Sequence, residues 1–191
     1  MMPLHGQVCI LREEREDDMP RLLALRNNMD TQGWSQALPP DYTLPMYLKR
    51  FNEREFSFRR TDGRFVIEYK PTGDFCGTIS YTGVQPRLSA TVGLAIDKHF
   101  WGSGVALDAQ ETLLRFLFNE LGLRRVDLWT NSGNKAAVGL AKKSGFKEAV
   151  RVREAIWLHG QLSDNLVMDL LREEWYALHP EYDDNLPPVT P

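Results

Sequence analysis

The stretch "ATVGLAIDKHFWGSGVA" at 90 to 106 constrains this chain more than any other. A buried-strand pattern ends at Ile96, two glycines follow at 102 and 104, and Ala106, Ala109, Leu113, Phe116, Leu117 and Leu121 then recur at helical spacing. A strand must therefore pass into a helix through a turn that tolerates positive φ and carries no Cβ over its amides. The free N–H groups at such a helix start point into the space above the strand and attract anions, phosphate above all. Taken alone, the pattern fits a glycine-softened loop equally well, because short glycine motifs recur by chance.

The surrounding pattern supplies context. "VCILR" at 8 to 12 alternates like a strand, and Asp17 or Asp18 caps a helix through Leu22, Leu25 and Met29 with Pro20 in its first turn. "DTQGWSQALPPDY" from Asp30 to Tyr42 is loop, and Thr43 opens a helix with Pro45 in its first turn. "RFVIEYK", the turn "PTGD", "FCGTISYTGV" and "SATVGLAI" predict an antiparallel meander of three strands. After the helix at about 105 to 121 come a strand at 124 to 130, a helix at 134 to 146 ended by Gly145, and the strand "KEAVRVREAIW". A turn at "HGQ", the strand "NLVMDLL", the helical "REEWYAL" and a proline-rich acidic tail close the chain. The fold class is mixed α/β: the meander feeds through the glycine turn and a right-handed crossover into a parallel strand. Ligands of open α/β sheets sit beyond the carboxyl ends of strands, here above Ile96, which favours the phosphate reading.

Composition excludes several alternatives. At 191 residues, 42% hydrophobic and 26% charged, the chain supports one domain with a substantial core. A formal charge of −3 offers no basic stripe, so no nucleic-acid partner is expected. Cys9 and Cys76 have no metal spacing and make no disulfide framework, and the four His residues show no ligand pair, so no metal is expected. The start lacks a signal-peptide pattern, and no apolar run approaches the roughly eighteen residues of a membrane span, so a soluble cytoplasmic chain is expected.

Four ordered blocks, "VGLAIDKHFWGSGVALDA", "LLRFLFNELGLRRVDLWT", "NKAAVGLAKKSGF" and "RVREAIWLHGQLSDNLVMDLLREEW", resemble the GNAT superfamily of acetyl-CoA-dependent N-acetyltransferases. Together with "LREEREDDMPRLLALRNN" they are similar to the RimJ/RimL-like branch, which acetylates ribosomal-protein N-termini. The likeness runs from about Ile10 to Tyr176. It implies one domain over residues 1–178, with a tail at 179–191. The implied sheet is twisted and mostly antiparallel, of about seven strands, with a splayed parallel pair at the CoA site. It further implies that backbone N–H groups of Trp101, Gly102, Ser103, Gly104, Val105 and Ala106 wrap the CoA pyrophosphate. The strand Leu94, Ala95 and Ile96 would pair with the pantetheine amides, and Asn134 would bond the pantetheine arm. Asn134 is equally a helix N-cap, and the two roles are compatible. His99 stands where the family has Gln or Arg.

Acetyl transfer requires an amine to lose a proton and a thiolate to leave. Thr91 replaces the glutamate and Ala141 the tyrosine that the resemblance leads one to expect. A thiolate of pKa near 8.5 leaves readily, so the acid is the more dispensable partner. Glu68, and Tyr81 acting through water, are candidates for the base, and Ser144 for the acid. Their structural readings are a solvated strand face, a packed aromatic and a turn residue. Trp34 and Tyr42 either line an acceptor groove or pack on the core, and both readings stand. Trp129 and Trp157, in strands, read as core.

The leading function is acetyl transfer from acetyl-CoA to a primary amine by direct attack in a ternary complex. No cysteine adjoins the glycine turn to carry a covalent intermediate. A protein N-terminus, a polyamine, an aminoglycoside and a small-metabolite amine all fit as acceptor. The rival is a non-catalytic acyl-CoA-binding sensor, and a homodimer remains open.

Overall fold

A computed structural model describes residues 2–34, 42–53, 62–158 and 160–185. Most of the expected loop between Asp30 and Tyr42, His159 of the "HGQ" turn and the tail from 186 onward lie outside the described residues.

Eight strands form one sheet: β1 (Leu4–His5), β2 (Cys9–Arg12), β3 (Gly63–Tyr69), β4 (Asp74–Gln85), β5 (Ser89–Ile96), β6 (Arg125–Asn131), β7 (Lys147–Leu158) and β8 (Gln161–Leu171). They lie in the order β1-β2-β3-β4-β5-β6-β8-β7, and the pairing is antiparallel except between β5 and β6. The strand beyond the expected seven is Leu4–His5, whose two residues are too short to show an alternation. The helices are α1 (Met19–Asn27), α2 (Met29–Gln32), α3 (Leu44–Asn52), α4 (Val105–Arg115), α5 (Lys135–Lys143) and α6 (Arg172–Leu178). A π-type turn, Phe116–Glu120, continues α4, so the periodic helix read at 105 to 121 is widened at its end.

Alternation along the strands divides the apolar residues between two faces. On one face Leu113, Leu117 and Phe118 of the α4 segment pack with Phe65, Ile67, Ile79, Val126 and Met168. On the other, Leu22, Leu25 and Tyr47 of α1 and α3 pack with Val66, Phe75 and Ala95, that is, over β3 to β5. Among the described residues the helical layer there reaches no further than β5, and Trp129 on β6 is 58% exposed and not core. Trp157, near the tip of the β7–β8 hairpin, is likewise 65% exposed. Strand position alone does not reveal which half of a face a helix will cover.

A cluster of charged side chains joins β2, β3 and the start of α1. Arg12 on β2 forks onto Asp18 at 2.7 and 2.9 Å, and its Nε donates to Glu68 on β3 at 2.5 Å. Burial raises the Asp18 pKa, but the Arg12 fork and the Arg15 N–H outweigh it and hold the carboxyl below its usual range. At the C-terminal end Trp175 is buried, its indole N–H donates to Glu111 at 3.3 Å, and the Tyr182 ring stacks on it at 5.4 Å and 7°. Packing therefore continues past 178 into the first residues of the expected tail.

One carboxylate joins the N-terminus to the helix that follows the glycine turn. Asp108, in the first turn of α4, accepts N–H bonds from Gln7 at 2.6 Å and from Val8 and Cys9 at 2.9 Å each. Gly6 admits the approach, since a Cβ there would stand 2.3 Å from Asp108 Oδ2. Burial raises the Asp108 pKa, and the donors from 7 to 9 outweigh it, so the group lies below the ordinary 3.8. Its stabilisation is complete above that value and is lost as pH falls through the lower folded-state pKa. Asp108→Asn should lower stability at neutral pH by about 2 kcal/mol and flatten the acid limb of the stability curve, measured by urea unfolding from pH 7 to 3.

Candidate active site

The parallel pair of β5 and β6 runs from Ser89 opposite Arg125 to Val92 opposite Leu128 and ends there. Beyond that rung β5 stays paired with β4 as far as Ile96 opposite Gly77, and β6 with β8 as far as Asn131 opposite Asn165. Each strand is held along its outer edge while the inner edges diverge. Among the described residues no strand pairs with the inner edge of Gly93–Ile96, whose backbone groups face the gap and need other partners. One is supplied by the Trp101 indole, which donates to the Ile96 carbonyl at 3.0 Å.

A cavity of about 1020 Å³ occupies this gap. The glycine turn forms one rim. Asp97 caps a short 3-10 turn, Lys98–Phe100, by accepting the His99 N–H at 3.0 Å, and Gly102 and Gly104 then take φ of +77° and +86° before α4 begins. A Cβ at either glycine would meet no atom within 4 Å, so the demand is set by backbone angle and by keeping the rim open, not by packing. Ser103 Oγ donates to the Phe100 carbonyl at 2.6 Å, and the Val105 side chain is buried in the core. These two, and Gly104, shape the turn without lining the cavity, whereas Trp101, Gly102 and Ala106 line it. His99 turns its ring to Asp97, 2.8 Å from Oδ1, so the position expected to hold Gln or Arg makes a local contact instead.

Leu94, Ala95 and Ile96 line the cavity along β5, and Asn134 lines it at the start of α5. Asn134 Oδ1 accepts the Ala137 N–H at 3.1 Å, so its capping role is formed. Sequence reasoning missed Asn131, which is buried; its Oδ1 accepts from the Gly133 N–H and Ser163 Oγ, and its Nδ2 donates to the Asp164 carbonyl. It ties the β6–α5 turn to the β7–β8 hairpin at the cavity wall. Its place at the end of a strand just before "SGN" was the available signal. Also missed was Gln110, on α4 one turn beyond Ala106.

The opposite rim comes from α2 and the bare part of the sheet. Asp30, Thr31 and Trp34 line it, facing Trp129 and Asn165. The Trp34 ring reaches across to the β6–α5 turn, where a Cβ on Gly133 would stand 3.2 Å from it. Trp34 thus follows the groove-lining alternative, while Tyr42 packs edge-on against Tyr47 at 5.9 Å with Arg26 over its ring. Asp30 pairs with Lys98 at 2.7 Å.

Glu68, Tyr81 and Ser144 are not brought together, and none of them lines the cavity. Glu68 faces Arg12, Tyr81 packs in the core with Phe65 and Phe116, and Ser144 is buried at the end of α5. Thr91, where a carboxylate was expected, donates its hydroxyl to Asp127 on β6 at 2.6 Å.

The fold recurs in known proteins. The chain is 32% identical over 104 residues to "Putative ribosomal N-acetyltransferase YdaF" of Bacillus subtilis, a match spanning 54% of this chain and only 57% of that relative. Its fold matches the spermidine N-acetyltransferase of Vibrio cholerae in complex with CoA and spermine, at TM-score 0.75 and 22% identity over 87% of this chain and 97% of that one. It also matches RimL, a ribosomal-protein α-N-acetyltransferase solved with coenzyme A, at TM-score 0.72 and 17% identity over 89% and 98%. Residues 9–147 match the family model of the acetyltransferase (GNAT) domain, and the chain belongs to the GNAT acetyltransferases.

Proposed function

We propose that the chain transfers the acetyl group of acetyl-CoA to a primary amine by direct attack in a ternary complex, and that the acceptor is the N-terminus of a protein or peptide. The carrying observation is the splay: a strand edge that no described strand pairs with and a positive-φ glycine turn border one cavity. The residues fit the donor. Amides at the start of α4 suit a pyrophosphate, the inner edge of Gly93–Ile96 suits the pantetheine amides, and Asn134 stands beside them. When bound, the thioester supplies an activated acyl carbon and a thiolate leaving group.

The chain's own groups position and polarise. A backbone N–H on the inner edge of β5 is directed into the gap, where it can stabilise charge on a carbonyl oxygen during attack. As the C–N bond forms and the C–S bond breaks, the amine proton must leave. The cavity wall carries one carboxylate among the described residues, Asp30, already paired with Lys98, so the proton passes to water at the open acceptor rim.

The acceptor reading rests on what lies beyond that rim. Trp129, Val167 and Val150 form one row across β6, β8 and β7, and Trp129 and Val150 are exposed. Such a surface suits the residues that follow a terminal amine. A polyamine would call for several spaced carboxylates, and among the described residues the wall carries only Asp30.

Two measurements test the donor site and the proton route. Gly102→Val puts a branched Cβ over the open rim and should raise the dissociation constant for CoA by at least tenfold, about 1.4 kcal/mol, in calorimetry on a protein whose circular dichroism is unchanged; equal affinity sinks the pyrophosphate assignment. Glu68→Gln separates base from structural partner. Held by Arg12 and outside the cavity, it should change kcat by less than about threefold, while a loss near a hundredfold in thiol-release assays with N-terminal peptides would make Glu68 the base after all.

A further inference from the structure

Gln110 is 4% exposed, lines the cavity, and has a side-chain Nε2 with no hydrogen-bond partner. Buried polar groups in folded proteins are almost always paired, and an amide donor left without an acceptor destabilises the fold for no return. Glu14, Asn27 and Ser144 also bury a polar atom that makes no hydrogen bond, but none of the three lines the cavity. Gln110 therefore faces the space in which a ligand would lie.

Its position selects the part of the ligand. The crossover carries α4 back along β5, so each turn of about 5.4 Å leads from the glycine turn toward the closed end of the splay. Gln110 is one turn beyond Ala106, on the way to the last rung, Val92 opposite Leu128. The wall at that end is apolar, formed by Ile79, Val92 and Leu128, and no charged side chain of the cavity lies on α4. A neutral acceptor can be buried there far more readily than an anion. The anion-binding amides sit at the other end, at Gly102.

We infer that Gln110 reads the acyl donor: its side-chain N–H donates to a carbonyl oxygen at the acyl–cysteamine end of the thioester, either that of the acyl group or that of the adjoining amide. This rests on the acyl-CoA reading above and adds a specificity-determining side chain on α4 to a site built, Asn134 apart, from backbone donors. It also accounts for a polar residue in an apolar wall. The donor is unsatisfied in the free protein and satisfied in the complex, so it favours the liganded state from both sides.

The test uses Gln110→Met, close in volume and without the donor, and reads binding, not turnover. The ligand-free variant should unfold at the same temperature or higher, while its dissociation constant for acetyl-CoA rises roughly tenfold in calorimetry. An equal loss for CoA assigns the bond to the cysteamine amide, and a loss confined to acetyl-CoA assigns it to the acyl carbonyl. Unchanged affinity for both overturns the assignment of Gln110, and if the unsubstituted protein binds neither compound the acyl-CoA reading falls with it. Should the variant fold poorly, the unsubstituted protein still decides: the Gln110 side-chain amide protons shift downfield on saturation with acetyl-CoA, and resonances that stay in place overturn the proposal.

Discussion

The site depends on a parallel pair that stops after its fourth rung. β5 and β6 separate beyond Val92 and Leu128, yet neither gives up its outer neighbour, so the sheet opens without fraying. Opening a sheet costs ladder hydrogen bonds that must be recovered elsewhere. Here the recovery is divided: the Trp101 indole takes the Ile96 carbonyl, the Asn131 amide braces the end of β6, and the remaining inner edge faces the cavity. The glycine turn, α4 and α5 are arranged around that gap, and each borders a part of it.

Polar side chains in the fold fall into two groups with different work. The Arg12–Asp18–Glu68 cluster is saturated, with each carboxylate facing the guanidinium, and such a cluster fixes the junction of β2, β3 and α1 without being available for chemistry. Gln110, on the cavity wall, is the reverse, buried and incomplete. The distinction matters because a carboxylate on a strand of the acceptor side looks the same in a sequence whether or not an arginine from a distant strand has taken it.

Local signals were legible and long-range ones were not. The glycine turn, the crossover helix, the parallel strand and the Asn134 cap all rest on contiguous residues, and the pattern of 90 to 106 and 134 to 146 carries them. Glu68 could not be placed from its strand because Arg12 lies 56 positions away. Trp129 and Trp157 read as core because alternation assigns a face but not its cover, and among the described residues the helical layer ends at β5. Gln110 was silent for a related reason: one amide among Ala109, Leu113 and Leu114 looks like a tolerated polar residue until the cavity beside it is known. The short strand Leu4–His5 is too brief for any period to show.

The Asp108 anchorage makes the first strands a reporter of a distant element. The backbone amides of Gln7, Val8 and Cys9 end on a side chain rather than on a neighbouring strand's carbonyls at that edge, and the side chain belongs to the first turn of α4, three residues past Val105. Their protons are shielded from solvent exchange only while that turn is formed. Deuterium uptake at these three amides, a hundred residues away in the chain, therefore registers each opening of the helix start that the glycines introduce, and a ligand that quiets the turn slows it.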